Sequence, residues 1–295
     1  MIYDIRHVTK YLYEFPVSSA ALSLRLTPRS GGGQRCLDHS LLIEPRPKAL
    51  RSEQDFFGNV VTTATIETGL TALKIEARAR VDVSRSVVVP PGASLAWKEI
   101  AAAALEQTSL GADAPVHFLF ASPHITLPAP VTAYAAESFP PGLPVVDGAR
   151  DLARRICADF IYSPQVTDVS TPLDDAFAQR RGVCQDFAHI MIAGLRGLGL
   201  PAAYVSGYIR TISPEGQPRL EGADATHAWV SIWCGEGTGW LGIDPTNAMD
   251  AGDDHIVLAI GRDFSDVSPV HGVFVGSGAH QLEVAVDVTP AGATA

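Results

Sequence analysis

Apolar and β-branched residues fall in short, partly alternating runs over the first third of the chain: Tyr3–Phe15, Ala20–Thr27, His39–Glu44, Val60–Thr68 and Ala72–Val83. Alternation of this kind fits strands with one buried face. Turn residues separate the runs, namely Arg29–Gln34 with its three glycines, Pro45-Arg46-Pro47 and Phe57-Gly58-Asn59. No helical period lies between the runs, so parallel βαβ units are not expected. Short strands at this spacing predict a sandwich or barrel. We assign residues 1–92, ending at Pro90-Pro91-Gly92, to an N-terminal antiparallel β-sandwich domain.

The texture then changes, and residues 93–295 form the second expected domain. Ala101–Leu105 and Val131–Phe139 read as helical pieces of a lead-in over about 94–160. Val146–Phe160 reads as an amphipathic helix, with Leu152 and Ile156 inward and Arg150, Arg154 and Arg155 outward. After Tyr162-Ser163-Pro164 a loop is expected, then a short helix over Pro172–Gln179. Its first turn carries Asp174 and Asp175, where the macrodipole favours acids. A further helix runs from near Cys184 to Leu198, stopped by Gly199 and Pro201. Strands follow over Ala203–Ile212, Thr226–Cys234, Gly239–Asp244, His255–Ile260 and His280–Val288. The second domain is therefore a cysteine-bearing helix plus an antiparallel sheet over about 165–288, and the tail Thr289–Ala295 is expected to fray. The fold class is α+β.

Charge narrows the functional classes. The chain of 295 residues carries 32 acidic against 22 basic residues, a formal net charge of -10. Nucleic acid and anionic membrane surfaces are poor partners for such a chain. Hydrophobic content of 46% and charged content of 18% fit a globular protein. The N-terminus lacks a basic stretch followed by an apolar run, and no segment reaches the length of a membrane span, so a cytoplasmic location is expected. Cys36, Cys157, Cys184 and Cys234 are widely spaced with no CxxC pair, which argues for free thiols and against a structural zinc site. No cofactor and no metal are expected, and the oligomeric state is not legible.

Three residues carry candidate chemistry. Cys184 stands at the start of a helix whose apolar period is Phe187, Ile190, Met191, Leu195 and Leu198. A helix N-terminus presents unpaired N–H groups and a positive dipole end, which favour thiolate and could hold an oxyanion. A small core hydrophobe is the plainer alternative. Thr226–Trp233 alternates cleanly, putting His227, Trp229, Ser231 and Trp233 on one strand face. The alternative for His227 is a hydrogen-bonded core histidine. The glycine-rich turn Cys234–Gly239 makes a hairpin with Trp240–Asp244 and sets Asp244 opposite His227 or one diagonal step away. Same-face neighbours there lie about 4.5–8 Å apart at Cβ, within reach of a carboxylate–imidazole hydrogen bond.

The motifs Gly182-Val183-Cys184-Gln185-Asp186-Phe187-Ala188, Leu195-Arg196-Gly197-Leu198-Gly199-Leu200-Pro201, Val205-Ser206-Gly207-Tyr208, His227-Ala228-Trp229 and Asp244-Pro245-Thr246 resemble the core of the bacterial transglutaminase-like superfamily. Thr171-Pro172-Leu173 fits the same pattern, and Leu24–Arg29 with Phe57-Gly58-Asn59 resembles the β-rich domain that precedes this core in many members. The resemblance implies a papain-like α+β core with Cys184, His227 and Asp244 as its triad. It also implies a cysteine protease or amidase that opens peptide or glutamine side-chain amides through a thioester, with a peptide or protein amide as partner. A protein-glutamine crosslinking transferase and a non-catalytic scaffold keeping the fold are the alternatives. Tyr162, Gln185, Tyr208 and Trp229 are further candidates for oxyanion or substrate contacts. His189 is expected to be structural, and Asp250, Asp253 and Asp254 a solvated acidic loop.

Overall fold

A computed structural model describes residues 1–85, 88–163, 171–211 and 225–292. The order of elements is β1 (Ile2–Val17), β2 (Ser19–Leu24), β3 (Gln34–Glu44), β4 (Ala49–Gln54), β5 (Val60–Ile66) and β6 (Leu70–Val83). Then come α1 (Trp97–Glu106), α2 (Ala129–Ala136), α3 (Val145–Asp159), β7 (Ile161–Tyr162), α4 (Leu173–Gln179), β8 (Arg181–Gly182) and α5 (Cys184–Gly197). The chain finishes with β9 (Ala202–Ile209), β10 (Ala225–Trp233), β11 (Trp240–Asp244), β12 (Met249–Asp250), β13 (His255–Gly261), α6 (Phe264–Val267), β14 (Val270–Val275) and β15 (His280–Pro290). Most of the loop expected after Ser163 and the last residue of the strand expected to end at Ile212 lie outside the described residues.

The strands form a sandwich of two four-stranded sheets, in the orders β15-β1-β6-β3 and β14-β2-β5-β4, and a separate five-stranded sheet in the order β12-β11-β10-β9-β13. Pairing in all three is antiparallel. The sequence places the strand over 280–288 with the second domain. The structure returns both last strands to the first one: β15 pairs with β1 and β14 pairs with β2. Strand order is set by long-range pairing, which local periodicity does not encode. The expected frayed tail likewise shortens, because β15 stays paired to Pro290, opposite Tyr3.

Leu24, Ile66, Leu73 and Ile75 are the most buried side chains between the two sandwich sheets. In the second unit, α5 sends Phe187, Ile190, Met191 and Leu195 into a core shared with β9 and β10. Helix α2 crosses α5 closely enough that a Cβ at Gly194 would come within 2.7 Å of Ala135 Cβ, and one at Gly197 within 2.1 Å of Thr132 Oγ1. Those glycines are thus a packing requirement of the helix that carries Cys184. A third cluster joins the units: Tyr3, Ile5 and Val288 pack on Tyr208, Ile256 and Leu258.

Strand β13 is the edge of its sheet, and the sandwich caps it with side-chain amides. Gln34 Nε2 donates to Val257 O at 2.9 Å, and Val257 N donates to Gln34 Oε1 at 2.8 Å. Asn59 repeats the pattern four-square on Ile260, with Nδ2 to the carbonyl at 2.9 Å and the N–H to Oδ1 at 2.8 Å. Each amide imitates one residue of a missing neighbour strand, which satisfies an edge that would otherwise be open to pairing.

Candidate functional site

Cys184 occupies the first position of α5, after Val183 as N-cap. Asp186 Oδ2 accepts from Val183 N at 2.8 Å and so closes the first turn. A side chain at residue 182 would put Cβ 2.5 Å from that same oxygen, so glycine is needed before the cysteine. The thiol is half-buried at the helix N-terminus and faces a cleft of about 480 Å³.

His227 lies on β10, buried, and its Nε2 is 2.7 Å from Asp244 Oδ2. Asp244 ends β11 and is wholly buried. The hairpin register runs Trp233↔Trp240 to Val230↔Ile243. Extending it by one residue sets Asp244 beside Trp229 and one diagonal step from His227, the second of the two placements read from turn length. The Cys184 thiol is the other hydrogen-bond partner of His227. Since Nε2 is taken by the carboxylate, Nδ1 is the nitrogen left for sulfur.

Five donors converge on Asp244. Thr246 N and Asn247 N reach Oδ1 at 2.8 and 3.2 Å, while Asn247 Nδ2, His227 and His255 reach Oδ2 at 2.7, 2.7 and 3.2 Å. Burial works against the carboxylate, yet the bonds from His227 and His255 outweigh it and hold the acid well below its ordinary range. Burial likewise works against a charged His227, but the hydrogen bonds and charges of Asp244 and Cys184 win and raise it to about 10. The site therefore favours an imidazolium held between a carboxylate and sulfur.

His227, Asp244 and His255 bring their ligand atoms within 4.8 Å of one another. The donor chemistry speaks for a hydrogen-bonded hub instead of a metal centre. Gly252 N donates to His255 Nδ1 at 3.3 Å, so that nitrogen carries the lone pair and Nε2 carries the proton given to Asp244. A protonated Nε2 is no ligand.

The four secondary candidates part company. Gln185 lines the cleft beside Cys184. Tyr162 is exposed, sits edge-on to Phe187 at 6.3 Å between ring centroids, and has its phenol raised by burial and by the charge of Cys184. Tyr208 is not at the cleft: it is buried in the cluster joining the two units, with its hydroxyl 2.9 Å from His7 Nδ1. Trp229 does not line the Cys184 cleft either. Its ring backs the His227 imidazole (centroids 6.1 Å, 28° between planes) and meets His255 edge-on at 5.2 Å. It borders a separate cavity bounded by Arg29, Ser231 and Trp240. Alternation correctly groups Trp229 with His227 on one face, but it does not say what covers that face.

His189 is buried and neutral, lowered to about 3 by burial, and accepts from Phe264 N at 3.3 Å, a structural role. The acidic loop is not simply solvated. Asp250 pairs with Arg150, Asp254 with Tyr3 and Arg210, and Asp253 accepts from Arg85 N. Residues missed in the sequence are His255 and Asn247. His255 sits in the apolar run His255–Ile260 and looks like any core histidine. Asn247, three residues after Asp244 at a turn, was the more readable of the two.

Residues 3–82 match the family model described as the bacterial transglutaminase-like N-terminal region, and residues 133–245 match that of the transglutaminase-like superfamily. An uncharacterized protein of Mycobacterium tuberculosis is 39% identical over 98% of this chain and 92% of its own length. One from Mycobacterium leprae is 33% identical over 96% of each. A protein-glutamine gamma-glutamyltransferase of Pseudomonas aeruginosa is 36% identical over 88 residues, 30% of this chain and 13% of that protein. Among solved structures, a candidate cysteine protease from Cytophaga hutchinsonii superposes with a TM-score of 0.74 at 19% identity, covering 100% of this chain and 92% of that one, which is a likeness of fold. From its β-rich N-terminal region through its core, the chain belongs to the bacterial transglutaminase-like superfamily.

Proposed function

We propose that the protein is a cysteine-dependent amidase or peptidase that works through a thioester on Cys184. The observation that carries this reading is the placement of His227 between the Cys184 thiol and the buried Asp244, at the mouth of a cleft. Nδ1 of the His227 imidazolium holds the proton that came from Sγ, and the thiolate attacks the amide carbonyl. The positive end of α5, where Cys184 sits, can receive the oxyanion on backbone N–H, with Tyr162 and Gln185 as the neighbouring side chains. As the tetrahedral intermediate collapses, the imidazolium gives its proton to the leaving amine, the C–N bond breaks and the thioester remains. Water then attacks with His227 as base, releasing the acid and regenerating the thiol. Asp244 keeps the proton of His227 on Nε2 and steadies its charge.

A primary amine could replace water in the last step and yield a new amide. The local similarity to a protein-glutamine gamma-glutamyltransferase favours testing this outcome. The test is to incubate the protein and its Cys184→Ala variant with peptide and glutamine-amide panels, with and without added primary amine, and to follow acyl-enzyme and products by mass spectrometry. A Cys184-dependent adduct followed by free acid supports hydrolysis, and amine-dependent product supports transfer. Turnover that survives Cys184→Ala, or no adduct with any amide or activated ester, refutes the thioester and favours a scaffold.

A further inference from the structure

The sheet β15-β1-β6-β3 is longer than the sandwich it belongs to, since β1 runs 16 residues and β6 runs 14. One face of its β1–β15 pair changes partner along its length. Tyr3, Ile5 and Val288 pack against β9 and β13 at one end. Tyr11, Tyr13 and Phe274 pack together at the other, where the opposing sandwich sheet covers them. Between these ends the face borders the cleft in which Cys184 lies, through the buried His7 and Thr9 and the exposed Val284, with Tyr11 and Leu282 beside them.

The register brings Thr9 opposite Val284 and Tyr11 opposite Leu282. Along β15 the residues alternate cleanly, with Leu282, Val284, Val286 and Val288 on this face and Gln281, Glu283 and Asp287 on the other. Val286 and Val288 are 1% and 0% exposed, as the pattern requires, yet Leu282 and Val284 are 54% and 48% exposed. Two positions written as core thus stand open beside the thiol. The ionic partners of these strands, Arg6 with Asp287 and Lys10 with Glu283, lie on the opposite face. Among the described residues the cleft is lined by no aspartate, glutamate, lysine or arginine, in a chain with a net charge of -10.

We propose that the β1–β15 face is the acyl-recognition wall of the site, and that it selects amide substrates whose acyl part carries an aromatic or branched aliphatic group. This rests on Cys184 being the nucleophile. Leu282 and Val284 supply the apolar contact, and Thr9 and Tyr11 the inner end of the wall. A cationic acyl side chain would lose its hydration there with no carboxylate among the described lining residues, whereas an anionic one would face the His227 imidazolium.

The test compares alkylation of Cys184 by iodoacetamide and by N-benzyliodoacetamide, read by mass spectrometry, with glutathione correcting for intrinsic reactivity. The benzyl reagent is expected to gain on the order of tenfold at Cys184, the usual worth of burying such a group in a pocket. Leu282→Asp should abolish the gain, taken as the ratio of the two reagents on the same variant, whereas Leu12→Asp, on the outer face of the same sheet, should keep it. No gain in the parent protein, or equal loss in both variants, overturns the wall. Failure of iodoacetamide itself to prefer Cys184 over the other three cysteines would instead overturn the nucleophile. The wall is then judged on Cys184→Ala protein by methyl NMR with N-methyl-3-phenylpropanamide, whose ring is on the acyl side, where shifts confined to Leu282 and Val284 support it and their absence refutes it.

Discussion

Replacing Asp244 by asparagine tests the site more sharply than deleting it, because the consequence can be worked out atom by atom. Oδ1 accepts from Thr246 N and Asn247 N, backbone donors that cannot change role, so the asparagine oxygen must sit there. Its NH₂ then occupies the place of Oδ2, facing His227 Nε2, His255 Nε2 and Asn247 Nδ2. Asn247 can turn its amide over and accept. His255 cannot change tautomer freely, because its Nδ1 already accepts from Gly252 N. One buried donor–donor conflict remains, worth about 1–3 kcal/mol of stability. His227 can accept at Nε2 only by moving its proton to Nδ1, the nitrogen facing sulfur, and it then no longer takes the thiol proton. Alkylation of Cys184 by iodoacetamide at neutral pH should fall on the order of tenfold or more, since the thiolate is the reacting species. Turnover should fall further, by about 10⁴, the scale of the same change in a serine-protease triad. The assays are alkylation followed by mass spectrometry, chemical denaturation, and ¹⁵N NMR of the imidazole to locate its proton. An Asp244→Asn protein that reacts at the wild-type rate, unfolds at the wild-type midpoint and keeps its His227 proton on Nε2 would refute the assignment of Asp244.

Other perturbations follow from the same contacts. Cys184→Ala should remove acyl-enzyme formation while changing stability by no more than about 1 kcal/mol, since a half-buried sulfur is a small packing loss, and a denaturation curve beside the activity assay checks both. His255→Leu should destabilise by about 1.5–3 kcal/mol, the worth of a hydrogen bond to a charged group, and a midpoint unchanged in urea would show that the contact with Asp244 is idle. Asn59→Ala strips partners from the N–H and C=O of Ile260 and should cost about 2–4 kcal/mol, with hydrogen exchange accelerated in β13 before other strands. Stability should peak near neutral pH. His7 and His189 are lowered from 6.5 to about 4 and about 3 by burial, so their contribution is present above 6.5 and lost as pH falls. His227 is raised to about 10, so its contribution is complete below 6.5 and lost as pH rises through 10. A urea midpoint that stays flat from about pH 5 to about pH 9 would contradict both shifts.

What the sequence discloses about this protein is what short-range physics controls. Cys184 is legible because a helix start has a sequence signature, His227 because strand alternation does, and Asp244 because turn length fixes hairpin register. The sandwich strands are legible for the same reason, apart from β4, whose residues are all exposed and so show no burial alternation, and β14, a strand not expected from the sequence. What is not legible depends on partners far along the chain. Gln34 and Val257 are 223 positions apart, and nothing in either segment announces the other. Tyr208 and Trp229 sit where the motifs put them, yet their roles are decided by what packs above them: His7 from β1 in one case, His255 from β13 in the other. His255 itself hides in an apolar run because one buried histidine looks the same in sequence whether it supports a carboxylate or fills a core.

These long-range contacts explain why the sandwich and the core cannot be treated as a catalytic unit with an appended module. Arg85, just past the end of β6, donates through Nη1 to the carbonyls of Gly252 and His255 at 2.9 and 2.7 Å, and through Nη2 to Gln34 Oε1 at 3.3 Å. It therefore fixes the turn whose N–H holds His255, and His255 in turn holds Asp244. From the other side, Gln34 and Asn59 complete the edge of β13, the strand on which His255 begins. Tyr208, next to Gly207 opposite His227 in β9, is tied through His7 to Thr9, which borders the cleft. Every one of these links joins a residue of the N-terminal region to the surroundings of Asp244, of His227 or of the cleft. A substitution in the sandwich can thus alter how rigidly Asp244 is presented to His227 without touching either.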